Sequence, residues 1–189
     1  MWQFHVKFSG DWLINAIHYD SPLGDILIAS KKNKLVGLWF EGQKYYLADW
    51  DEKINIKEDK ILIKTSDWLD DYFNGNCPSI NDLELAPSGT EFRCQVWDIL
   101  CEIPYGETVT YNDIAKRIAE DRGIEKMSAQ AVGGAVGHNP ISIVIPCHRV
   151  VGSDRNLTGY AGGIDKKMFL LTHENVDMAD FSIPKDMIL

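Results

Sequence analysis

The stretch Ile141-Ser142-Ile143-Val144-Ile145-Pro146-Cys147-His148-Arg149-Val150-Val151 constrains this chain more than any other part of it. A run of β-branched residues reaches a proline, then meets a cysteine, a histidine and an arginine in succession. Such a run predicts a buried strand or extended segment. Pro146 disfavours helical geometry at Ile145, so the chain is expected to enter Cys147 extended. A thiol placed there is hidden from solvent, and apolar burial alone raises its pKa and makes it inert. His148 and Arg149 act the other way, because a neighbouring imidazole or cation favours thiolate. Taken by itself the stretch fits a packed core cysteine as well as it fits a nucleophile.

The 189 residues allow one domain or two small ones. No apolar run approaches membrane-spanning length. The opening Met1-Trp2-Gln3-Phe4-His5-Val6-Lys7 lacks signal-peptide architecture, so a cytoplasmic protein is expected. Cys77, Cys94, Cys101 and Cys147 form no Cys-x-x-Cys pair and no zinc-ligand spacing. Disulfides are not expected in a reducing compartment. Cys94 and Cys101, seven apart on a helical pattern, read as small core residues sharing a face.

The net charge of −9 argues against bulk, nonspecific nucleic-acid binding, which relies on Lys and Arg neutralising phosphates. The distribution softens this. Residues 128–168 carry Arg149, Arg155, Lys166 and Lys167 against Asp154 and Asp165. That local positive surplus suits a modest phosphate-contact surface, although charge mixtures usually form solvated faces.

Residues 14–40 predict a β-meander, with turns at Asp20-Ser21-Pro22 and at Lys31-Lys32-Asn33-Lys34. Thr65 or Ser66 is the expected cap of a helix through residues 67–73 that ends at Asn74-Gly75. His5 and His18 have no partner pattern. The chain changes character at Ala86-Pro87-Ser88-Gly89-Thr90, where a boundary is expected. The division is then 1–86, 87–175 and a weakly patterned, loosely packed tail, 176–189. Thr90 caps a helix over 91–100, with Phe92, Val96, Trp97 and Leu100 inward. Thr110 and Ser128 cap two further short helices, 111–119 and 129–137. The pair predicts a helix-turn-helix-like unit with a long connection through Arg122-Gly123. Gly133 and Gly134 cost helix propensity and invite the close approach of a backbone, a helix or a ligand; small residues for core packing serve equally well. His138-Asn139-Pro140 leads into the cysteine stretch. A loop, 157–163, and a last helix, 164–174, with Phe169, Leu170 and Leu171 inward, complete the order.

Together these motifs are identifiable. Residues 103–111 (Ile-Pro-Tyr-Gly-Glu-Thr-Val-Thr-Tyr), Ala131-Val132-Gly133-Gly134-Ala135, Asn139-Pro140, Ile145-Pro146-Cys147-His148-Arg149-Val150-Val151, Gly159-Tyr160-Ala161-Gly162-Gly163 and His173-Glu174 resemble, in this order, the O6-alkylguanine-DNA alkyltransferases. The resemblance covers 87–175. It implies an α+β fold: a small N-terminal ribonuclease-H-like α/β domain of mainly structural role, then a mainly helical, winged-helix-like C-terminal domain with the helix-turn-helix.

It also implies a mechanism. Alkylated double-stranded DNA is the expected partner, with no membrane, no metal, no cofactor and a monomeric chain. Cys147 accepts the alkyl group. His148 is the general base, through a water, and Glu174 fixes its tautomer. Tyr111 protonates or hydrogen-bonds the guanine N3. The Cys147 and Val150 carbonyls read the exocyclic amine, Tyr160 and Ala161 close the pocket, and Asn139 holds the turn. Gln130, Ala131, Gly133 and Arg149 are the remaining substrate- or DNA-binding candidates. In the family the second helix enters the minor groove, and an arginine fills the space of the flipped nucleotide. Here that position is Gln130, shorter and uncharged, so weaker duplex binding is expected. Arg149 could equally be a structural ion-pair partner, and His173 reads as structural. Three rivals remain: a lesion-binding protein without the acceptor cysteine, a helix-turn-helix regulator and a cysteine hydrolase. The presence of Cys147 disfavours the first, and the acidic charge disfavours the second. A hydrolase would turn over repeatedly.

Overall fold

The computed structural model describes residues 14–47 and 53–182. His5, the opening heptapeptide and the end of the expected tail lie outside them. The meander forms as expected. Strands β1 (Ile14–Ser21), β2 (Gly24–Lys31) and β3 (Lys34–Phe40) pair antiparallel, and β4 (Ile54–Ile56) pairs parallel to β1, giving the order β3-β2-β1-β4. Lys32 and Asn33 take positive φ of 51° and 59°, the geometry of a two-residue hairpin turn whose twist matches its strands. β2 and β3 are buried almost throughout rather than alternating, because the sheet is covered on both faces.

Helix α1 (Lys60–Phe73) starts earlier than the Thr65 or Ser66 cap predicted. Asp59 is the cap. Its carboxylate accepts from the Leu62 N–H at 3.1 Å and also from Ser30 and Asn15, so one side chain starts the helix and ties it to the sheet. Thr65 instead donates its hydroxyl to the Ile61 carbonyl inside the helix.

Helices α2 (Glu91–Cys101), α3 (Tyr111–Arg122) and α4 (Ala129–Gly137) carry the expected caps Thr90, Thr110 and Ser128, and Asp113 completes a capping box on α3. α3 and α4 pack as the helix-turn-helix pair. Strand β5 (Val109–Thr110) lies parallel to β6 (Val150–Val151). In α5 (Ile164–His173) the inward face is Ile164, Lys167, Leu170 and Leu171, whereas Phe169 is 39% exposed, contrary to expectation. The described part of the tail, 176–182, is also better packed than expected. Val176, Met178 and Phe181 lie against Val151, Leu157 and Leu171. Among the described residues no helix is long and apolar enough to cross a membrane.

Before Val150 the central stretch is not a strand. Residues 141–151 are buried throughout, but turns fold them up, and Cys147–Arg149 form a single 3-10 turn. Val144 N–H donates to Ser142, Ile145 to Ile141, Cys147 to Ile145 and Arg149 to Pro146. The Asn139 side chain sits inside this coil. It accepts from the Ile141 N–H at 3.0 Å and donates to the Ile145 carbonyl at 2.8 Å, supplying partners that a sheet neighbour would otherwise supply. Ile143 is driven to φ 67°, a strained value for a β-branched residue.

The open edge of β3 holds this coil in place. Leu38 N–H donates to the Pro140 carbonyl and Ser142 N–H to the Leu38 carbonyl, while Leu35 pairs with 84–86. One core runs through both halves, joining Leu38, Leu62 and Trp68 to Trp97, Leu100 and Val144.

Candidate active site

Cys147 opens the 3-10 turn and is 5% exposed. Its sulfur receives the Asn139 Nδ2 at 3.1 Å. Burial pushes the thiol pKa up, and the Asn139 donor and the Lys167 ammonium offset this only in part. At rest the group is therefore a thiol that needs a base. The cation that acts on it is Lys167, not Arg149 as the adjacent sequence position suggested.

His148 is anchored by Glu174. Its Nε2 lies 2.7 Å from Glu174 Oε1, and both side chains are fully buried. Burial opposes the Glu174 charge, but His148 and Arg149 outweigh it and hold the carboxyl well below the usual range. An ionised carboxylate only accepts, so Nε2 carries the proton and Nδ1 keeps its lone pair. Nδ1 is buried and meets no hydrogen-bond partner. Burial lowers the His148 pKa despite Glu174, so the ring is neutral at neutral pH.

Arg149 turns inward. Its Nε reaches Glu174 Oε2 at 2.8 Å, its Nη2 reaches Oε1 at 3.0 Å, and its Nη1 donates to the Ile103 carbonyl at 2.6 Å. Lys167 is fully buried too, donating to the Val150 carbonyl at 2.5 Å and the Thr158 carbonyl at 3.0 Å. Two of the four cations behind the expected surface surplus are thus inside. Arg155 pairs with Asp180, which lies beyond residues 128–168.

Tyr111, first residue of α3, donates its hydroxyl to the Thr158 carbonyl at 3.1 Å, and burial raises its pKa to about 12. Gly159 lies against it at φ 76°, where a Cβ would come within 2.6 Å of that hydroxyl. The Tyr160 hydroxyl is buried beside Ser142 without a hydrogen bond to it, and its ring meets His148 edge-on at 6.5 Å. A cavity of about 340 Å³ opens here, bounded by Gly133, Gly137, Gly159, Tyr160, Ala161 and Tyr45. That size is within the range of small-molecule sites. Tyr45 stacks on His138 at 3.9 Å, and the Lys44 N–H donates to the Ala161 carbonyl, so the loop after β3 forms one wall. Gln130 and Ala131 are exposed on α4. The Cys147 and Val150 carbonyls already accept from the Val150 N–H and Lys167, each with a lone pair to spare.

The structure therefore brings Cys147, His148, Glu174, Asn139 and Arg149 into one buried cluster, with Tyr160, Ala161 and Gly133 lining the neighbouring cavity, Tyr111 behind its Gly159 wall and Gln130 outside. Sequence reasoning missed Tyr72, which donates to Glu174, and Lys167. Lys167 was detectable, because its spacing from Ile164, Leu170 and Leu171 puts it on the buried face of α5.

Fold and site together define a protein with a buried cysteine, next to a buried histidine–glutamate pair, set beside a helix-turn-helix. Residues 91–176 match the family model described as the DNA binding domain of 6-O-methylguanine DNA methyltransferase, and residues 16–87 match its ribonuclease-like domain. A methylated-DNA–protein-cysteine methyltransferase of Methanosarcina barkeri is 47% identical over 164 residues, spanning 84% of this chain and 97% of the relative. One from Haemophilus influenzae is 40% identical over 166 residues, spanning 86% and 87%. The crystal structure of Mycobacterium tuberculosis OGT in complex with DNA superposes with a TM-score of 0.71 at 38% identity, covering 85% of this chain and 92% of that one. The chain belongs to the 6-O-methylguanine DNA methyltransferase family.

Proposed function

We propose that this protein repairs DNA by taking the alkyl group of O6-alkylguanine onto Cys147 in one irreversible step. The observation that carries the reading is the His148–Glu174 contact of 2.7 Å, with the opposite imidazole nitrogen buried, unpartnered and one residue from the cysteine. His148 Nδ1 takes the Cys147 proton through a water. The sulfur then attacks the alkyl carbon. The carbon–O6 bond breaks, and its electron pair stays on the guanine. Tyr111, with a pKa of about 12, remains protonated and turns its hydroxyl from Thr158 to the guanine N3. The product is a thioether with no leaving group, so each chain reacts once.

The target atom lies within the base stack, so the nucleotide is flipped out at a cost of roughly a few kcal/mol. The exposed face of α4, with Gln130 and Ala131, meets the duplex, and the cavity beside Tyr160 receives the base. Gln130, in place of the family's arginine, supports flipping with weaker duplex affinity. Comparing Gln130→Arg with wild type tests this; equal affinities and equal rates on duplex DNA contradict it. Arg149 serves Glu174 rather than DNA. The same reading has the chain acting as a monomer in the cytoplasm, with residues 87–175 carrying the chemistry and 1–86 supporting them.

The test of the reaction is stoichiometry. With duplex DNA carrying excess labelled O6-methylguanine, uptake is expected to plateau at one methyl per chain. Continued turnover would instead indicate a hydrolase.

A further inference from the structure

The Glu174 carboxylate accepts five hydrogen bonds. Oε1 receives His148 Nε2 at 2.7 Å, the Tyr72 hydroxyl at 2.8 Å and Arg149 Nη2 at 3.0 Å; Oε2 receives Arg149 Nε at 2.8 Å and the Gly106 N–H at 3.3 Å. Four of these donors come from the half of the chain that carries Cys147. Tyr72 does not. It sits on the last turn of α1, and it shares an acceptor oxygen with the imidazole. Its ring is 1% exposed, stacked on Trp68 at 5.7 Å and edge-on to Tyr105 at 6.2 Å. Its carbonyl accepts from His173 Nε2 at 2.7 Å. One residue of α1 thus holds both 173 and 174, by carbonyl and by hydroxyl. Burial and the Glu174 charge keep the phenol protonated far above working pH, so it remains a donor.

We infer that Tyr72 is a positioning residue for alkyl transfer, fixing Glu174 and through it the proton-accepting orientation of His148. This rests on the repair reading above and gives the N-terminal half a part in the chemistry. Without the hydroxyl, Oε1 concentrates its charge on the His148 Nε2 proton. The imidazole then protonates more readily, and the carboxylate is less firmly held.

The test compares Tyr72→Phe with wild type in the full chain. Tyr19→Phe is the control, since it removes a hydroxyl from Asp70 of the same helix at the protein surface. The transfer rate from an O6-methylguanine duplex is measured against pH, as is the DNA-free alkylation of Cys147 by iodoacetamide. Tyr72→Phe is expected to lose about tenfold in transfer rate, the size of one charge-assisted hydrogen bond. The acid limb of both profiles moves to higher pH, and Tyr19→Phe matches wild type. Unchanged rate and profile overturn the inference. So does a rate loss with an unmoved pH profile and a lowered Tm, which marks a purely structural role. If wild type takes no methyl from DNA, the repair reading fails, while the iodoacetamide profile still tests Tyr72. Should Tyr72→Phe fail to fold, proton NMR of wild type decides. A slowly exchanging Tyr72 hydroxyl proton with a cross-peak to the His148 Nε2 proton supports the link, and exchange at the bulk-water rate overturns it.

Discussion

The Asn139 amide nitrogen stands 3.1 Å from the Cys147 sulfur, inside the coil that carries the cysteine. The same side chain organises that coil through Ile141 and Ile145, so backbone shape and sulfur environment have one origin. Asn139→Ala leaves several buried groups unpaired and is expected to cost about 3 kcal/mol of stability. Methyl transfer is expected to fall by more than the loss of folded protein explains. Urea unfolding and single-turnover rates on the same samples check both.

Glu174→Gln keeps the shape of the side chain but leaves Arg149 buried without its counter-charge. A loss of about 3–5 kcal/mol is expected, as for other broken buried pairs. The pH dependence has a fixed sign. The folded carboxyl pKa is depressed, so its contribution to stability is complete above the ordinary glutamate value, about 4.3, and is lost as pH falls toward the folded value. Denaturant midpoints from pH 3 to pH 7 are expected to show this loss in wild type and less of it in Glu174→Gln.

Lys167 gives the opposite end of the pH scale. Burial lowers its pKa to about 8, so between there and the ordinary lysine value, about 10.4, the folded chain binds fewer protons than the unfolded one. The stability of wild type relative to Lys167→Met therefore improves as pH rises through that window. At neutral pH Lys167→Met also removes a buried cation that favours the Cys147 thiolate, and iodoacetamide labelling of that thiol is expected to shift to higher pH.

Gly159→Ala places a methyl 2.6 Å from the Tyr111 hydroxyl at a backbone angle that favours glycine. A cost of about 1 kcal/mol or more is expected from strain alone. Displacing Tyr111 from Thr158 is expected to slow transfer beyond that, read as a rate loss at a temperature where both proteins are folded.

What could be read in advance followed from local physics. The caps Thr90, Thr110 and Ser128 and the hairpin at Lys32-Asn33 act over a few residues, and the structure has them. The Cys147–Arg149 neighbourhood misled because β-branched residues suit both a strand and a buried coil. Which of the two forms depends on the Asn139 side chain, and its hydrogen bonds leave no mark on hydropathy. Adjacency also misassigned the charges. Arg149 is two positions from Cys147 but faces Glu174, while Lys167, twenty positions on, acts on the sulfur. Tyr72 meets Glu174 across 102 positions, a contact that no periodicity encodes.

The central claim is that the Cys147 sulfur keeps the carbon removed from guanine. Incubation with an O6-methylguanine duplex, followed by intact-mass measurement and peptide mapping, addresses it most directly. The account predicts a gain of one methyl per chain, on the peptide containing Cys147, with unmodified guanine restored in the DNA and no gain in Cys147→Ser. An unchanged protein mass with repaired DNA, or a methyl on any other residue, would contradict it.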